Sequence, residues 1–376
     1  MRAAKILERL VAFRTENPPG REAECARFIG GVLAPLGFTV AFDEVGPDRS
    51  NVVASLDNGS GPCFAFNTHI DVVPAGEGWS TDPFRLREDG GRLYGRGACD
   101  AKGSLAAMIA AGERLAASRG EWSGRLLLVF VADEEAASAG AKVFAATKPR
   151  IDFAVIGEPT GNAVVTAHKG SLRPLVRVRG VSAHSGTPDL GINAVFGAAR
   201  LLAAVEAESR RVAERRHPLC GAASLTVTRL HGGVADNVVP DRCEFLLDRR
   251  LVPGESEERA RREIEALLAR AKREDGVEAE IVEWRPTTGG ATETAADQSF
   301  VQAALAASAA HGAGGGPRGF QGACDLVHFN GVGADGVVIG PGDLAVAHKP
   351  DEFVPADELR TAVDLYETLA RAMLRP

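Results

Sequence analysis

Four short apolar runs, PCFAFNT (62–68), RLLLVFVAD (125–133), DFAVIGE (152–158) and GVVIGPG (336–342), constrain this chain more than any other feature. Each has strand length and is nearly continuous in its apolar character rather than alternating, which marks strands covered on both faces. Helical patterns such as KGSLAAMIAAGERLAASR (102–119) separate them. Strands alternating with helices predict an α/β domain built on a largely parallel sheet.

From 171 to 285 the pattern changes. A strand (SLRPLVRVRGV) leads to a helix around 193–215, then to the strands SLTVTRL and CEFLLDRRLV across the turn-rich HGGVADNVVPD. A charged helix, SEERARREIEALLARAKRE, and the strand VEAEIVEW follow. The order β-α-β-β-α-β is ferredoxin-like. The α/β pattern then resumes with a helix near 297–311. The chain therefore reads as a discontinuous α/β domain, 1–170 plus 286–376, with an inserted α+β domain over 171–285; two domains suit 376 residues. The glycine loop HGAGGGPRG lacks the Gly-Lys-Ser/Thr of a phosphate cradle and reads as a flexible connection.

Composition narrows the function classes. The chain is 45% apolar and 25% charged with a formal charge of −7, the balance of a soluble globular protein without a nucleic-acid footprint. No apolar run has the length of a membrane helix. Ile6, Leu7, Leu10 and Val11 are spaced as one face of an amphipathic helix, not as a signal peptide. Six cysteines without Cys-x-x-Cys spacing read as reduced thiols of a cytoplasmic protein.

In an open parallel sheet, ligands bind beyond the carboxyl ends of the strands. The residues there are biased. His69 and Asp71 follow the first run, Glu134 and Glu135 the second, Glu158 the third, and His348 lies in the loop after the fourth. Asp100, in GRGACDAKG, precedes the 102–119 helix, where the positive helix end favours an anion. Imidazole and carboxylate donors suit zinc and neighbouring divalent metals. Two such ions, roughly 3.5–4 Å apart, can acidify one water and polarise a carbonyl. They need about five ligands with one shared carboxylate, a further carboxylate as proton acceptor, and a group behind a histidine to fix its tautomer. Seven groups meet that requirement.

NTHIDVVP, GRGACDAKG, ADEEAASAG, IGEPT and AHKPDE, in this order across the whole chain, resemble the motifs of the M20 family of dinuclear metallopeptidases and deacylases. The resemblance implies hydrolysis of the amide bond of a small N-acyl amino acid with two divalent metals, zinc or alternatively cobalt. His69, Asp100 and Glu158 would hold one ion, Glu135 and His348 the other, with Asp100 bridging. Glu134 would be the general base, and the Asp71 carboxylate would back the His69 ring. It further implies a cis peptide at Asp100–Ala101 and an inserted domain acting as lid and homodimer interface. In that domain His184 would approach the scissile carbonyl from its own subunit or the partner. Asn237 and Arg250 would contact the substrate, the arginine gripping a carboxylate, and Gly322 and Ala323 would form a small-residue loop beside it. Lys169 is a further candidate for an anionic substrate group.

Within the family the segments IGEPT, AHKG, HGGVADN and DRRLVPG lean towards acetylornithine deacetylases. The loop QGACDLVHF leans towards desuccinylases and carboxypeptidases, so a succinyl-diaminopimelate desuccinylase, another aminoacylase or a dipeptidase stay open. A non-catalytic binding protein on the same fold is the rival from another class; it would lack a ligand or the base, and none is missing. His168, His217, His231, His311 and His328 read as ordinary structural histidines. Cys99 and Cys324 have no histidine partner by motif, which leaves a cysteine nucleophile without support.

Overall fold

A computed structural model describes residues 1–375. In chain order the strands used below are β1 (Thr39–Gly46), β2 (Arg49–Asn58), β3 (Cys63–His69), β4 (Gly124–Val131), β5 (Phe153–Ile156), β6 (Val165–His168), β7 (Gly170–Arg179), β8 (Ser224–Gly232), β9 (Arg242–Leu251), β10 (Ala279–Arg285) and β11 (Asp335–Val338). The principal helices are α1 (Arg2–Val11), α2 (Lys102–Ala117), α3 (Ala194–Val212), α4 (Glu257–Asp275) and α5 (Ala356–Met373). The described chain divides into two compact units, 1–167 with 293–319 and 324–375, and 168–292 with 320–323. The sequence pattern put residues 320–323 with the first of these. They group with the second because the Lys169 N–H donates to the Phe320 carbonyl at 3.3 Å.

The first unit is mixed α/β. Its sheet runs β1-β2-β4-β3-β5-β11-β6, with further short strands at that last edge. The pairs β3/β4, β3/β5 and β5/β11 are parallel, whereas β1/β2 and β2/β4 are antiparallel. Every residue of β3 is buried, as its unbroken apolar run requires. Phe64, Phe66, Leu126, Leu128 and Phe130 form one core with Leu105, Met108 and Ile109 of α2 and Tyr366 of α5. Burying each large apolar side chain contributes about 1.5–3 kcal/mol. From Lys102 to Gly112 α2 is buried all round, a central helix rather than a surface one. It comes close to the end of β5 because Gly157 has no side chain: a Cβ there would lie 2.6 Å from Cβ of Ser104. That approach carries the start of α2, and with it Asp100, to the same sheet edge as Glu158.

The second unit has the order β7-α3-β8-β9-α4-β10 and a four-stranded sheet β8-β9-β7-β10 with every neighbour antiparallel. This is the ferredoxin-like topology. Residues 243, 245, 247, 249 and 251 of β9 are buried, the period of two expected of a strand with one covered face. The helices are capped locally. Asn193 accepts the Val195 N–H at 2.9 Å at the start of α3, and Ser256 accepts the Arg259 N–H at 3.2 Å at the start of α4. Gly276, at φ +64°, ends α4 in the left-handed conformation.

Among the described residues no helix is long and apolar enough to cross a membrane. All six cysteines are buried.

Candidate metal centre

β3 ends on His69, which is 1% exposed. Its Nδ1 lies 2.8 Å from the Asp71 carbonyl oxygen. An N–H donated there fixes the tautomer and turns Nε2 towards Asp100 Oδ1, 3.2 Å away. The main chain of Asp71 thus makes the contact expected of its carboxylate, whose nearest oxygen is 3.7 Å from the ring. That carboxylate is engaged elsewhere: it accepts the N–H groups of Glu134 at 3.1 Å and Glu135 at 3.2 Å, and the Asn17 amide at 2.9 Å.

Glu134 and Glu135 follow β4 on a sharp turn. Asp133 turns the chain at φ +72°, a left-handed value costly for a side chain with a Cβ. Asn17 at 3.0 Å and Arg49 at 2.8 Å hold one of its carboxylate oxygens, and the Ala139 N–H reaches the other at 3.2 Å. His348 also sits at positive φ, +62°. Its Nε2 is 3.2 Å from Asp100 Oδ2 and 3.1 Å from Glu135 Oε2. Asp100 therefore offers one oxygen to each of two histidines, and the peptide that follows it, Asp100–Ala101, is cis. Glu158 completes the cluster after β5. Donor atoms of His69, Asp100 and Glu135, and again of His69, Glu134 and Glu158, all lie within 4.8 Å of one another.

The charges are unbalanced. Burial drives the Glu134 carboxyl well above its ordinary range, and the neighbouring Glu158 drives it further. Glu158 is raised likewise, by burial and then by Asp100, and Glu135 for the same two reasons. Burial opposes charge on His69, but the Asp100 hydrogen bond and the surrounding carboxylates outweigh it and raise the ring well above its usual value. Hydrogen bonds to Asp100 and Glu135 lift His348 to about 10. Asp100 itself is lowered: burial works against its charge, and the bonds from His348 and His69 overcome it. A buried oxygen of Glu135, Oε1, has no hydrogen-bond partner. An orphaned acceptor, four carboxylates and two imidazoles brought together, His69 buried and His348 exposed, fit divalent cations.

The remaining sequence candidates lie in the second unit. His184 and Asn237 come together: His184 pairs with Val238 in a β-bridge, and the Ser185 N–H donates to the Asn237 carbonyl at 3.0 Å. Both side chains are exposed. Arg250 is paired with Asp248 through Nε at 2.6 Å. The Lys169 ammonium donates to the Ala222 carbonyl at 2.7 Å; burial, opposed by Cys220 and reinforced by Arg250, lowers its pKa. Gly322 and Ala323 are half-buried in the short 320–323 segment.

The family description "Peptidase family M20/M25/M40" matches residues 65–372. The chain belongs to this peptidase family. It is 35% identical over 342 residues to an acetylornithine deacetylase of Myxococcus xanthus, covering 88% of this chain and 85% of that one. It is 31% identical over 375 residues to a succinyl-diaminopimelate desuccinylase of Marinobacter nauticus, covering 96% of each. An M20 metallo-carboxypeptidase of Sulfolobus solfataricus shares its fold at a TM-score of 0.81, with 19% identity and 99% of both chains covered. The M20 chain is accordingly a hydrolase of amide bonds.

Several residues of this M20 hydrolase that shape the cluster have no sequence signature. Asn17, and Arg49 at the start of β2, reach it from far along the chain, and only contact in the fold shows their part. Asp325, buried beside Ser138, lies close enough to the cluster for its carboxyl to be pushed up to about 6, chiefly by burial. Its sequence mark is the carboxylate that follows the small residues Gly322 and Ala323 in QGACDLVHF.

Proposed function

We propose that this hydrolase removes the acyl group of an N-acyl amino acid, in the manner of an acetylornithine deacetylase, with two divalent ions held by His69, Asp100, Glu158, Glu135 and His348. The observation that carries this reading is the Asp100 carboxylate, with Oδ1 at His69 and Oδ2 at His348, each 3.2 Å away. Zinc or cobalt bound there would supply an acidified water and a Lewis acid for the carbonyl. Glu134 is placed to take a proton from the attacking water and return it to the leaving amine.

The second unit supplies recognition. The Nδ1 of His184 accepts the Gly186 N–H at 2.9 Å, which leaves the ring proton on Nε2 as a donor for an oxyanion. Arg250 has the fork that grips a carboxylate, with Asn237, Lys169, Gly322 and Ala323 as further contacts. His184 and Asn237 lie before the start of β9 and Arg250 lies at its end, against Ser171. Eight residue steps of strand separate these ends by about 27 Å, so one copy cannot bring both to one scissile bond. This favours a homodimer in which His184 and Asn237 act on the partner's substrate. Val181, Leu190, Ile192, Phe196, Leu230 and Val234 are exposed near the His184 end, beside the open edge of β8. Such a patch suits an interface.

The desuccinylase-like relatives align over more of the chain, 96% against 88%, which favours a succinylated amino acid as the second reading. Assays with N-acetylornithine, N-succinyl-diaminopimelate, other N-acyl amino acids and dipeptides, with zinc or cobalt added, separate the two. Glu134→Gln is expected to retain metal and lose about 100- to 10,000-fold in turnover. Parental turnover in that variant rules out the proton shuttle, and inactivity on every N-acyl amino acid rules out the substrate class.

A further inference from the structure

One buried ion pair touches three of the loops that carry the metal-binding side chains. Arg96 and Glu352 are each 1% exposed and are bonded through Arg96 Nη1 and Glu352 Oε2. The other carboxylate oxygen, Oε1, accepts the N–H of Cys99 at 2.9 Å and the N–H of Asp100 itself at 3.0 Å. Both Nη atoms of Arg96 also donate to main-chain oxygens, whereas its buried Nε meets no acceptor. Nη2 reaches Pro74 at 3.3 Å and Ala75 at 3.2 Å, in the loop after Asp71, and Nη1 reaches Lys349, next to His348, at 3.4 Å. The Gly95 N–H closes the arrangement on the Glu352 carbonyl at 2.9 Å.

A buried ion pair is weak evidence for stability, because desolvating two charges costs several kcal/mol and their attraction scarcely exceeds it. What this pair provides is position. The N–H groups of Cys99 and Asp100 precede α2 and have no helical carbonyl to meet, so Glu352 decides where the Asp100 main chain sits. Arg96 ties that point to the segments flanking Asp71 and His348. We infer that Arg96 and Glu352 are positioning residues, which set the metal affinity of the cluster by holding the Asp100, Asp71 and His348 loops in one register without touching the metals. The inference rests on the reading that Asp100 bridges two ions.

Cobalt(II) titrated into the metal-stripped protein, followed by calorimetry and visible absorption, tests it. Asp100→Asn examines the underlying reading alone: cobalt affinity and spectrum equal to the parent's would refute the bridging role whatever Glu352 does. Given a strong loss in that variant, Glu352→Gln is expected to bind cobalt about 10- to 100-fold more weakly and to shift the visible bands. A second variant, Arg96→Met with Glu352→Met, replaces the charges by an apolar pair that a core tolerates better, and the same weakening is expected with melting of the metal-free form near the parent's. Parental cobalt affinity and bands in either folded variant overturn the inference. If neither variant folds, the pair is a requirement of the fold, and the positioning assignment fails as well.

Discussion

At Asp71 a single residue holds three others: its carbonyl meets the His69 ring and its carboxylate takes the N–H groups of Glu134 and Glu135. Asparagine in its place keeps the carbonyl contact but can accept through only one side-chain oxygen. Asp71→Asn should therefore weaken metal binding by about 10- to 100-fold while leaving the fold intact; calorimetric zinc titration reads the change, and unaltered affinity contradicts the argument. A second residue-scale expectation concerns His168. Burial holds its ring down at about 4, against an ordinary value of 6.5. Above pH 6.5 it is neutral in both states and its contribution is complete; as pH falls towards 4 only the unfolded chain takes up the proton, and stability drops by on the order of 3 kcal/mol. Denaturant titrations at about pH 7 and about pH 4.5 should show a smaller acid loss for His168→Gln than for the parent. Equal losses would place the acid sensitivity elsewhere. The residues after the apolar runs were legible in the sequence because strand ends are where an open sheet binds its ligands. Asn17 and Arg49 were not, and Arg96 and Glu352, though inside GRGACDAKG and AHKPDE, gave no sign of their pairing: partners lie up to 256 residues away, and no periodicity connects them.

Between elements, α2 fits tightly against the end of β5. The methyl of an alanine at 157 would meet Ser104 Cβ at 2.6 Å and Met108 Cε at 2.8 Å, and α2 cannot yield without moving Asp100. Gly157→Ala should cost about 1–3 kcal/mol in stability and weaken metal binding together with it, because Glu158 is the next residue. Thermal melting of the metal-free and zinc-loaded forms measures both, and a variant with parental values in each would show that the helix has room to spare. The four apolar runs and the strand–helix order of the second unit were readable from local pattern, whereas β1, with exposed and half-buried residues, and β2, of mixed burial, were not. The attachment of 320–323 to the second unit left no local mark, for it depends on a main-chain bond between Lys169 and Phe320.

For the whole molecule, the separation of His184 from Arg250 along β9 makes the proposed homodimer testable without a structure of it. His184→Ala and Arg250→Ala should each be nearly inactive alone. After subunit exchange half the dimers are mixed and one of their two sites has both residues, so about a quarter of the parental activity should return. No recovery, with mixed dimers present by mass, would mean that each copy serves its own site. The division of the first unit by the second has another consequence. Asp100 and Glu135 are synthesised long before His348, which contacts both, so on the ribosome the nascent acids lack that imidazole. The sheet can begin to assemble during translation, but a cation has its full set of donors only when the segment beyond the insertion has emerged.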